Sequence, residues 1–113
     1  MINHAYTAGL FDATGIVKIN HNLKLIITLH SESKQLLEQI IRAYKIETEV
    51  IKNQRRYIIY IPYDNMKDFL LNIHPYLFIK KEIIKMVIEF LETDSHVKKH
   101  NLWINIKQLY RLI

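Results

Sequence analysis

Only two glycines occur in the 113 residues, and both fall within one short stretch, Thr7-Ala8-Gly9-Leu10-Phe11-Asp12-Ala13-Thr14-Gly15. Average usage would place about eight along a chain of this length, so the pair is retained for backbone reasons. Gly9 stands midway through an apolar helical pattern, where it costs roughly 1 kcal/mol relative to alanine unless something must come close to the backbone. Gly9 and Ala13 lie four apart on one helix face and leave a nearly bare surface on which a second helix can pack. Gly15 is expected to end that helix and turn the chain into an extended run.

Hydrophobic periodicity sets out the remaining elements. A helix from about His4 to Ala13 precedes two strands, Gly15 to Asn20 and Asn22 to His30, joined tightly around His21-Asn22. Leu36, Leu37, Ile40, Ile41 and Tyr44 trace a helix stripe within Ser33 to Lys45, with Ser31 or Ser33 as N-cap. Glu47 to Lys52 and Arg55 to Ile61 form a second hairpin turning at Asn53-Gln54. After Pro62, Asp64 or Asn65 can cap a short helix carrying Met66, Phe69, Leu70 and Ile73, which Pro75 breaks. A regular stripe of Ile83, Met86, Val87, Phe90 and Leu91 marks a helix from Lys80 to Glu92. Thr93 to Lys99 reads as a connection, and a last helix, Leu102 to Ile113, covers the core.

The length suits one domain spanning 1–113, and a 50% hydrophobic composition can fill its core. With no cysteine, disulfides and thiolate metal sites are excluded. The N-terminus lacks the pattern of a signal peptide, and no apolar run approaches a membrane span. The expectation is a soluble intracellular protein, cytoplasmic, organellar or phage-encoded, that is not secreted and has no membrane partner. A net charge of +5 favours polyanionic partners. The six histidines show no tight metal-ligand spacing: His96 and His100 are four apart but have no third partner. No metal is assigned to them.

The glycine-bearing stretch resembles the LAGLIDADG signature of homing endonucleases and intron maturases, with six identities in nine positions. A second segment, Phe69 to Lys81 followed by Phe90-Leu91-Glu92, looks like the part of that family after its fourth strand. The resemblance covers nearly the whole chain. It implies an α+β fold, an αββαββα unit with an antiparallel saddle-shaped sheet over DNA and extra C-terminal helices. A single motif copy implies a homodimer built on the motif helix, with Ala8, Gly9, Asp12 and Ala13 at the interface, on a pseudo-palindromic double-stranded DNA site.

In that family the acidic residue before the final glycine holds the divalent metal that hydrolyses the phosphodiester. Thr14 stands there in this chain, and a neutral hydroxyl cannot neutralise Mg²⁺ as a carboxylate does. No cofactor is expected, or Mg²⁺ if nuclease activity is retained with Asp12 as substitute ligand. Otherwise Asp12 matches a position that is generally structural. Lys80 matches a lysine near the scissile phosphates and is the auxiliary catalytic candidate.

The sheet carries the expected DNA contacts. With Val17, Ile19, Leu23, Leu25, Ile27 and Leu29 inward, alternation sends Lys18, Asn20, Lys24, Ile26, Thr28 and His30 to the other face. Asparagine can read adenine, lysine can reach guanine or phosphate, and an isoleucine can touch a thymine methyl. In the second hairpin Lys52, Gln54 and Arg55 crowd the turn. Arg55/Tyr57/Ile59 and Arg56/Ile58/Tyr60 are equally plausible outward sets, and the resemblance favours the first. The expected function is site-specific DNA binding with cleavage lost, set against an active endonuclease and against an RNA- or protein-binding module.

Overall fold

The computed structural model describes residues 2–112, so Met1 and the expected last helical residue, Ile113, lie outside it. Helix α1 (His4–Thr14) leads into strands β1 (Ile16–Ile19) and β2 (Leu25–Ser31). Helix α2 (Lys34–Tyr44), strands β3 (Ile51–Asn53) and β4 (Arg56–Tyr60), and helix α3 (Tyr63–Ile73) follow. A 3-10 turn, His74–Tyr76, then precedes α4 (Lys81–Glu92) and α5 (His96–Leu112). The four strands form one antiparallel sheet in the order β1-β2-β4-β3.

Local chemistry explains where the elements begin. The Asn3 side chain accepts from the Tyr6 N–H and opens α1, and the Ser33 hydroxyl accepts from the Leu36 N–H and opens α2. Neither Asp64 nor Asn65 caps α3, contrary to the sequence expectation: Pro62 holds the cap position without a side-chain bond. Asn65 instead accepts from the Glu47 N–H and anchors the approach to β3. That strand is shorter than expected, because residues 46–50 make no sheet ladder. The stretch from His96 expected as connection is already helical.

One apolar cluster joins the inward sheet residues Val17, Leu25, Ile27, Leu29, Ile59 and Ile61 to Phe11, Leu37, Phe69, Phe90 and their helical neighbours. The helices α1, α2 and α3 contact β2 there, and α2 contacts β4 as well. Fully burying each such side chain contributes about 1.5–3 kcal/mol relative to exposure.

Gly15 has a different reason from the turn expected. Its φ of -70° and ψ of 138° are open to any residue. A Cβ at this position would lie 2.7 Å from both the ring and the carbonyl oxygen of Phe11. The glycine therefore admits the core phenylalanine at the end of its own helix.

Candidate nucleic-acid interface

The ladder decides which side chains share the face away from the helices. Directly paired residues point to the same side, and Thr28 pairs with Ile16 on one neighbour and Tyr60 on the other. His30 pairs with Ile58, which pairs with Ile51, and Arg56 pairs with Asn53. Lys18 pairs with Ile26. On this face Ile16, Lys18, Ile26, Thr28, His30, Asn53, Ile58 and Tyr60 line a shallow hollow of about 290 Å³.

This register corrects the second hairpin. Tyr57 and Ile59 belong to the helix-bearing face, where Tyr57 packs against the core and Ile59 is fully buried. Lys52 pairs with Tyr57 and falls on that side too, exposed at the sheet edge. Arg56, Ile58 and Tyr60 share the helix-free face instead, the last two within the hollow. Gln54 and Arg55 form the turn between β3 and β4, with Gln54 at φ 58°, and with His30 and Arg56 they line a further depression.

The first hairpin also differs. Its strands stop at Ile19 and Leu25, leaving Asn20 to Lys24 as a loop. The Asn20 side-chain oxygen accepts from the N–H groups of Asn22 and Lys24, each at 2.9 Å. The acceptor half of an adenine-reading carboxamide is thus spent on shaping the turn. Leu23 adopts φ 61° and packs against the core, and Lys24 stands exposed in the loop. Thr28 is buried, its hydroxyl 3.1 Å from the His30 Nε2. Burial first, then the charges of Arg56 and Lys18, pulls the His30 imidazole below its ordinary pKa.

At the foot of α1 a second cleft, of about 470 Å³, brings Thr14, Asp12 and Lys80 beside His30 and Arg56. The Thr14 hydroxyl donates to the Leu10 carbonyl one helical turn back, at 2.9 Å. Both Asp12 carboxylate oxygens are engaged, accepting from the N–H groups of Phe78 and Lys80 at 2.7 and 2.9 Å. The Lys80 Nζ donates to the carbonyls of Phe11 and Asp12 at 3.2 and 2.8 Å. It closes the negative end of α1, where a cation is favoured. Lys80 is only 9% exposed; burial pulls its ammonium below the ordinary lysine range and the Asp12 charge partly opposes this. Around Thr14 the cleft offers an imidazole, a guanidinium and an ammonium, while its one carboxylate is committed to backbone. That donor set does not fit Mg²⁺, which takes anionic oxygens. Among the described residues no group of three or more His, Cys, Asp or Glu could hold a metal ion.

The outer face of α1 is open. Ala5, Gly9 and Ala13 are exposed, and a Cβ added at Gly9 would meet nothing within 4 Å. Ala8, expected on that surface, is instead fully buried in the chain's own core, on the helix face it shares with Thr7 and Phe11. Phe78, 89% exposed, stands beside Asp12, which binds its backbone, and Ile79 lines the cleft with Ala13. Hydrophobic periodicity does not flag Phe78 as an exposed residue.

No protein-family model matches the chain, and no curated protein matches it. Solved structures do. The homing endonuclease I-CvuI, in complex with its target, superposes with a TM-score of 0.72 and 17% identity over 94% of this chain and 80% of that one. The chain has the LAGLIDADG homing-endonuclease fold. The LAGLIDADG meganuclease I-AabMI, bound to uncleaved DNA, gives a TM-score of 0.74 at 18% identity, with 94% of this chain covering 44% of that one. An archaeal intron-encoded homing endonuclease complexed with DNA, I-Vdi141I, gives 0.68 at 14% identity over 94% of this chain and 82% of that one. At such identities the likeness concerns the LAGLIDADG backbone, and the chemistry of each site rests on this chain's own residues. No helix among the described residues is long and apolar enough to cross a membrane.

Proposed function

We propose that this chain binds a specific double-stranded DNA site as a homodimer and does not cut it. The observation that carries this reading is the sheet face free of helices, which presents Lys18, His30 and Arg56 together with an apolar hollow. The chain's net charge of +5 favours a polyanion, and solved proteins of the same fold are complexed with DNA. A β-sheet face can enter the major groove, with phosphate contacts setting position and base edges setting sequence.

The dimer is supported by the glycine that serves no purpose within the subunit. Gly9 costs helix stability and makes room for nothing in its own chain. A second α1 crossing there, with Phe78 and Ile79 covered alongside, supplies the missing reason and matches a two-fold DNA site. Loss of cleavage is supported by the foot of α1, where the Thr14 hydroxyl and the Asp12 carboxylate are already engaged.

Selection of bound sequences from a random duplex pool tests binding, specificity and symmetry together. A pseudo-palindromic consensus is expected; enrichment of no duplex sequence ends the reading. Incubating the selected duplex with Mg²⁺ or Mn²⁺ should leave it intact. Cleavage that disappears in Thr14→Ala or Asp12→Ala establishes the active endonuclease instead. Thr14→Asp restores a carboxylate, and cutting by this variant marks a scaffold that lost only its metal ligand. Binding to RNA in preference to duplex DNA, or to a protein with little salt dependence, favours the repurposed module.

A further inference from the structure

The floor of the sheet hollow is unusually apolar for a surface that the helices leave uncovered. Ile16 and Tyr60, at opposite ends of one cross-strand row through Thr28, are 38% and 48% exposed, and Ile51 at the edge is 51% exposed. Half-buried Ile26 lines the hollow as well, and Ile58 lines it although it is itself buried. The solvent face of an antiparallel sheet is ordinarily polar. Isoleucine suits strands on local grounds, yet that preference does not require so many on the face without a second layer.

Apart from His30, whose Nε2 is already engaged with the Thr28 hydroxyl at 3.1 Å, the polar readers lie toward the margins. Arg56 and Asn53 form one pair next to the β3–β4 turn, and Lys18 stands on the first strand. The Asn20 acceptor is withdrawn into its loop, and Thr28 is sealed beneath its neighbours. The middle of the face therefore has little with which to make the paired hydrogen bonds that identify guanine or adenine. The apolar group among the four bases in the major groove is the C5-methyl of thymine.

Resting on the DNA-binding reading above, we infer that Ile16, Ile26 and Tyr60 recognise thymine methyl groups. Each half-site then contains a short run rich in A·T pairs beneath β2 and β4. Lys18 and Arg56 contact phosphates or guanine at its ends. An apolar floor also rejects cytosine at these positions, because its N4 amino group would lose water without gaining an acceptor.

Deoxyuridine pairs as thymidine does but lacks the C5-methyl group, so the test changes the DNA and leaves the protein intact. The duplex selected by the full-length protein is resynthesised with deoxyuridine at single positions across each half-site. At a contiguous block of positions the dissociation constant should rise about fourfold per methyl removed, the equivalent of one buried methylene-sized group. Ile26→Thr, which keeps the β-branched shape, should bind the parent duplex more weakly and respond less to deoxyuridine within that block. If the protein binds its selected site specifically but tolerates deoxyuridine throughout, methyl recognition is overturned and DNA binding stands. If no duplex is bound, both fall together.

Discussion

Gly15, Asp12, Lys80 and His30 show how single residues set the geometry of this molecule. Alanine at Gly15 would drive a methyl group to within 2.7 Å of Phe11, including its backbone oxygen. Gly15→Ala should therefore lower stability by about 1–3 kcal/mol, as overpacking generally does, measured by denaturant unfolding. The sequence marked Gly15 as necessary, but as a turn; the pressure of the Phe11 ring emerges only from packing. Likewise Asp12 and Lys80 were legible as important residues, although not as partners that tie segment 78–80 to the end of α1. His30 has its pKa lowered by burial and by Arg56 and Lys18. Because the unfolded chain binds that proton more readily, this group contributes stability above about pH 6.5 that is lost as pH falls through the folded pKa. A DNA phosphate near His30 and Arg56 would favour the imidazolium, so binding takes up a proton. Affinity should then rise as pH falls toward the lowered pKa of the free protein's imidazole, with a smaller rise in His30→Gln, followed by fluorescence anisotropy.

At the level of elements, the helices were easier to read than the second hairpin. Their stripes have one apolar side, whereas Arg55/Tyr57/Ile59 and Arg56/Ile58/Tyr60 carry the same three kinds of residue. Only the pairing of β4 with β2 separates the sets, and pairing is non-local. Leu23 misled for a related reason: it continues an apolar alternation while sitting at a positive φ in a loop. Helix α1 offers the sharpest test of assembly. In an isolated subunit Gly9→Ala meets no obstacle and should add up to about 1 kcal/mol of stability through helix propensity. In the dimer the same methyl group holds two helices apart. Sedimentation equilibrium should show dissociation about tenfold easier, a loss of some 1.4 kcal/mol. Higher thermal stability with unchanged self-association would remove Gly9 from the interface.

For the whole molecule, charge and surface shape bear on how it meets a polyanion. Dissociation constants measured across salt concentrations should rise steeply, and replacing one phosphate-contacting side chain should reduce the logarithmic slope by about 0.9. Lys18→Ala and Arg56→Ala are the variants expected to show this, while Lys52→Ala, on the other face of the sheet, should leave the slope nearly unchanged. The open edge of the sheet is short: β3 has three residues, including exposed Lys52, a combination that discourages edge pairing. The opposite edge is covered by α5. There the Tyr110 hydroxyl accepts from the Val17 N–H at 3.0 Å, and the Trp103 indole N–H donates to the Ile19 carbonyl at 2.9 Å. Trp103 is the only tryptophan in the chain. The protein therefore carries an intrinsic optical gauge wired to β1, the strand that bears Lys18, and a shift in its emission during titration would register bending of the sheet without any attached dye.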